Sequence, residues 1–131
     1  EEIVIPPLAE LEHLNIAGNK LTRLHLKNLP SLREFFVFKN KLESLTFDQA
    51  PNLSKLKANN NQLTELRFNN TQSLQKLYVF DNELKELNMK SIPALSYFDA
   101  RHNPMPDEFY DYLDSLDSLT ALHDGNAEDW Q

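Results

Sequence analysis

The sequence predicts an α/β solenoid: short parallel strands stacked coil upon coil, mostly extended or 3-10 return segments, and a helical C-terminal end. Three observations carry this. First, residues recur every 21 positions, as in Asn19, Asn40, Asn61, Asn82 and Asn103, and self-similarity at such a period marks a repeat architecture. Second, the first half of each unit alternates apolar and polar residues, the signature of a half-buried strand. A strand that short cannot bury its apolar face alone, so it must stack on its neighbours. Third, the chain has only two glycines against seven prolines, so Asn and Pro fix its turns.

The columns can be read in order. Leu11, Leu32, Leu53, Leu74 and Leu95 open the units, and Leu116 keeps that spacing. Leu14, Phe35, Leu56, Leu77 and Phe98 follow, then Ile16, Val37, Ala58, Val79 and Ala100, then the Asn column. Leu21, Leu42, Leu63 and Leu84 come after it, with Met105 in the fifth unit. Pro30, Pro51 and Pro93 mark the late position, where Gln72 departs. A buried amide at the strand exit can satisfy backbone groups of the turn and of the adjoining coil. The five Asn are therefore a structural ladder.

This L-x-x-L-x-φ-x-x-N-x-L unit, with φ apolar, resembles the leucine-rich repeat over residues 11–105. The 21-residue length is most similar to bacterial repeats of the internalin type. The resemblance implies a right-handed superhelix with a parallel β-sheet on its concave face, and a ligand platform on that face. It also implies a bacterial surface, secreted or effector protein, with a cytoplasmic setting as the alternative. Residues 1–10 read as a partial repeat, with Ile3, Ile5 and Leu8 at the positions of Leu24, Leu26 and Leu29. A chain that starts mid-repeat suggests a preceding segment. Residues 106–131 read as a cap. A helix begins at Pro106 and Asp107 and directs Phe109, Leu113 and Leu116 inward, and a degenerate sixth strand keeps the 21-residue register. Trp130 is expected to fold back onto the last coil. The whole is one leucine-rich repeat domain, residues 1–131.

Composition narrows the function. The net charge is −7, yet residues 1–103 are near neutral, whereas residues 104–131 carry eight acids and no Lys or Arg. Nothing is basic enough to suggest nucleic acid, and no apolar run reaches the roughly 18 residues of a membrane span. Cysteine is absent, which removes thiol catalysis and Cys-zinc sites. No phosphate loop or nucleophile elbow occurs. The expectation is a non-enzymatic chain without a cofactor.

What remains is the outward side of the strands. Phe36 and Phe38 in one row, and Tyr78 and Phe80 two rows on, point away from the core. Rows lie about 4.8 Å apart, so the two aromatic pairs are roughly 10 Å apart, with Lys57 and Asn59 between them. Lys55, Lys76, Tyr97 and Arg101 complete the surface. Aromatics and Arg concentrate binding energy, so these residues are predicted to bind a protein partner. A glycan stacking on the rings is the alternative, as is a recognition arm of a larger enzyme. Strand propensity and repeat duplication could also place aromatics there without a ligand. Asp81, His102 and His123 fall in one outward column and could be bridged by a metal ion if the sixth strand keeps register. Ser118, His123 and Asp124 are a triad on paper alone. Self-association through the aromatic patch is the remaining expectation for oligomeric state.

Overall fold

The computed structural model describes residues 2–3 and 8–126. Ile5 and Trp130, assigned to the core and to a fold-back, lie outside the described residues. The described chain is a β-solenoid of two parallel sheets with a single short α-helix. Strands β2 (His13–Asn15), β4 (Glu34–Phe36), β6 (Lys55–Lys57), β8 (Lys76–Tyr78), β9 (Tyr97–Asp99) and β10 (Thr120–Leu122) pair in that order in a six-stranded sheet. Strands β1 (Glu2–Ile3), β3 (Arg23–Lys27), β5 (Ser44–Asp48) and β7 (Glu65–Asn69) form a four-stranded sheet on the return side. Ile3 pairs with Leu24, as the repeat register requires.

The return segments are more regular than expected. Each of β3, β5 and β7 is five residues long, against three for the strands of the other sheet. The cause is a second alternation: Leu24 and Leu26, Leu45 and Phe47, and Leu66 and Phe68 turn inward while their neighbours are more exposed. Phe47 stacks on Phe68 at 5.5 Å and meets Phe35 edge-on at 5.8 Å, joining the two sheets across one core. After β7 the fourth return segment leaves the sheet. Asn88 accepts the Lys90 N–H and caps a 3-10 turn over Met89–Ser91.

The Asn ladder is present with the bonds its chemistry allows. Asn61 Oδ1 accepts the Leu42 N–H at 3.0 Å, and its Nδ2 donates to the carbonyls of Val37 and Ala58. Asn40, Asn82 and Asn103 repeat the pattern. Each amide thus ties its own coil to the preceding one. Asn19 differs: it is exposed, and its amide donates only to Ile16 and Ala17 of its own turn.

The residue just before each Asn is left-handed. Gly18, Lys39, Asn60, Asp81 and His102 all have φ between +58° and +73°. Asn28, Gln49 and Asn70 repeat this at the opposite corner. Outside glycine, such backbone costs about 1–2 kcal/mol per residue, which the ladder and core must offset.

The C-terminal end departs from the expected register. Helix α1 (Asp107–Asp114) does start with Asp107 and Glu108 in its first turn, where carboxylates suit the helix dipole. Its inner side carries Tyr110 and Leu113, whereas Phe109 is only partly buried and Tyr112 is 43% exposed. Strand β10 pairs with β9 as Thr120↔Tyr97, Ala121↔Phe98 and Leu122↔Asp99. That is a 23-residue step, so Leu119 does not sit opposite Phe98. A helix advances about 1.5 Å per residue against 3.3 Å in a strand, so a coil containing one needs extra residues to return to the sheet.

Thr71 is a flaw in the core. It occupies the buried column of Leu29, Ala50 and Ile92, and its Oγ1 is a buried side-chain atom without a hydrogen-bond partner. A stranded hydroxyl costs about 1–3 kcal/mol. Thr71→Val, which keeps the shape, is expected to raise the unfolding free energy by about 1 kcal/mol. Urea denaturation checks it.

Candidate functional site

The outer surface of the six-stranded sheet is built by alternation alone. Leu56 and Ala58 point in, so Lys55, Lys57 and Asn59 point out, and the same holds on β4, β8 and β9. Pairing then sets the neighbours: Phe36 lies opposite Lys57, Lys57 opposite Tyr78, and Tyr78 opposite Asp99. Lys55 stands between Glu34 and Lys76, and Lys76 faces Tyr97.

The rings expected to face water are half-buried, because they cover one another and are covered by cations. Phe36 and Phe38 lie 6.5 Å apart, and Tyr78 and Tyr97 lie 5.4 Å apart, both pairs tilted. The gap between the aromatic pairs is occupied by Lys57. Its Nζ is 5.2 Å from the Phe36 ring and 5.3 Å from the Tyr78 ring, and Lys55 Nζ is 5.8 Å from Phe36. These are cation–π distances, so the Lys57 ammonium is held in place before any ligand arrives.

The far side of the patch is anchored differently. Asp99 is only 2% exposed and accepts both Arg101 Nε at 2.8 Å and Nη2 at 2.6 Å. The Arg101 guanidinium also lies 5.5 Å over the Phe80 ring. Its hydrogen bond to Asp99 raises the Arg101 pKa above its ordinary value. Burial first, and then the Asp99 charge, raises the Tyr97 phenol, so Tyr97 stays a neutral donor through the neutral pH range. Asn59 is buried and donates to Asn60 Oδ1 at 2.7 Å, and Asn60 donates on to Asp81. Together Phe38, Lys57, Asn59, Tyr78, Phe80, Tyr97, Asp99 and Arg101 line an open depression of about 310 Å³. Seven of the ten predicted binding residues line it, and Phe36, Lys55 and Lys76 lie outside that lining. Asp99 is not among the residues predicted to bind. Its carboxylate, outward by register yet buried beside Arg101, is the part of the site that alternation does not reveal.

The suggested metal column does not assemble. The two-residue shift of β10 places His123 beside Ala100 rather than His102, which turns it inward and makes it fully buried. Its ring stacks on Tyr110 at 4.4 Å, its Nδ1 accepts the Gly125 N–H at 3.0 Å, and its Nε2 lies 2.8 Å from Asp114. Asp124 instead accepts the His102 N–H at 2.9 Å. Among the described residues no three His, Cys, Asp or Glu side chains are grouped to hold a metal. With both ring nitrogens engaged, His123 does not serve Ser118 as a base either.

No described helix is long and apolar enough to cross a membrane. Compared with protein families, curated proteins and solved structures, the chain matches none.

Proposed function

We propose that the chain is a protein-interaction module of the leucine-rich-repeat kind, most similar to the internalin type. It holds its partner on a concave six-stranded face, and α1 with β10 serves as a C-terminal cap. The role is binding rather than catalysis, in a bacterial surface, secreted or effector protein. The repeat unit and the inter-coil Asn bonds support the family reading.

One observation carries the function: an open depression lined by four aromatic rings and by Lys57, whose ammonium lies between Tyr78 and the neighbouring Phe36 ring. Rings ordered by their neighbours lose little further entropy on binding, so burying them contributes to affinity with a small ordering cost. Lysines at the border orient an acidic or polar partner. A hydroxylated glycan is the second reading, favoured by the Tyr97 hydroxyl and the Arg101 guanidinium beside the rings.

The test compares immobilised chain with its Phe36→Ala, Tyr78→Ala variant and with a control, His25→Ala, Arg67→Ala, on the four-stranded sheet. The partner captured by the unaltered chain should be retained by the control and weakened at least tenfold, about 1.4 kcal/mol, by the face variant. Equal capture by all three proteins contradicts the reading. A glycan array that responds while no protein is captured transfers the site to the second reading.

A further inference from the structure

Three cations of the six-stranded face are left without an ion pair: Glu34, opposite Lys55, lies 2.9 Å from His13 instead. Lys55, Lys57 and Lys76 form no ion pair among the described residues, although Lys55 and Lys76 lie directly opposite on β6 and β8. Opposed strand residues are about 4.8 Å apart, and like charges there repel. Lys57 is drawn to the two rings beside it. Such a surface gains when carboxylates arrive.

The chain itself carries the complement. Beyond Arg101 there is no Lys or Arg. Tyr110 and Leu113 fix the inner side of α1, which leaves Asp107, Glu108, Asp111 and Tyr112 exposed on the other side. Tyr112 is one of two large apolar side chains that are exposed among the described residues. One turn of helix separates Asp107 from Asp111 by about 6 Å, close to the spacing of Lys55 and Lys76. Three carboxylates around an exposed ring thus match three ammonium groups around half-buried rings in charge, and one pair on each side in spacing.

We propose that α1 of one copy docks on the six-stranded face of a second copy. Asp107, Glu108 and Asp111 meet Lys55, Lys57 and Lys76, and Tyr112 packs against the Phe36 and Tyr78 rings. The inference rests on the reading of that face as a protein-binding surface, and makes a second copy its occupant. The contact joins two different surfaces, so it is heterologous. A copy with a damaged face and a copy with a damaged helix therefore still have one intact pair of surfaces between them.

Sedimentation velocity of the 131-residue chain, from micromolar to millimolar concentration, is the test. The average mass should rise with concentration. The rise should weaken between about 0.1 M and 1 M salt, where the Debye length falls from about 10 Å to 3 Å. Lys55→Glu, Lys76→Glu and, separately, Asp107→Lys, Asp111→Lys should each weaken self-association about tenfold or more, with unchanged circular dichroism because all four residues lie on the surface. An equimolar mixture of the two variants should form a one-to-one complex. A monomer at every concentration overturns the proposal, as does self-association that the helix variant leaves unchanged. If the chain is monomeric while Phe36→Ala, Tyr78→Ala still loses a captured partner, the docking of α1 fails and the function of the face stands.

Discussion

Asn61→Ala is expected to destabilise the chain by about 2–4 kcal/mol, while Asn19→Ala costs less than about 1 kcal/mol. The two residues hold the same place in the 21-residue unit, and only their neighbours differ. At position 61 the amide satisfies the Leu42 N–H and the Val37 and Ala58 carbonyls inside the stack. Alanine strands the Leu42 N–H, at about 1–3 kcal/mol for a buried unpaired group, and removes one of the two amide donors from each carbonyl, which keep those of Asn40 and Asn82. At position 19 the same amide reaches only exposed carbonyls of its own turn, and water replaces it. Equilibrium urea denaturation of both variants gives the comparison. Equal costs would mean that the ladder adds nothing between coils.

Phe47→Ala is expected to cost about 3–5 kcal/mol, the range for a fully buried Phe whose cavity cannot collapse. Phe47 lies in an interior strand of the return side and contacts Phe35 across the core and Phe68 in the next coil. Its neighbours are held by two ladders of backbone bonds, so they cannot close around the space. Because nearest-neighbour interfaces hold a solenoid together, the loss should appear as reduced cooperativity as well as a lower midpoint. Thermal and urea unfolding followed by two probes would register both effects. A cost below about 1 kcal/mol would contradict a single core shared by the two sheets.

Much of this architecture was legible because period and alternation are local properties. The column of Leu14, Phe35, Leu56, Leu77 and Phe98 names the inward side of the six-stranded sheet, and everything beside it must point outward. The outward patch followed from the same register. Three features were not legible, each for a physical reason. The return strands were masked by their prolines and shortness, although "LTFD" alternates as a strand does. The left-handed column was readable in retrospect: Gly18, Asn60, Asp81 and His102 are the residue types that tolerate positive φ. The 23-residue step into β10 depends on how far a helix advances in space, and no spacing in the sequence encodes it. That shift is why His123 lies against Tyr110 rather than beside His102. The covering of Phe36 and Tyr78 by Lys57 is likewise a matter of side-chain reach, which register alone does not fix.

Hydrogen–deuterium exchange of the chain, alone and saturated with a partner captured through its face, tests the central claim most directly. The account predicts new protection in and just after β6, β8 and β9, around Asn59, Phe80 and Arg101, with β3, β5 and β7 unchanged. Protection confined to β3, β5 and β7, with the six-stranded sheet exchanging as in the free chain, would contradict it.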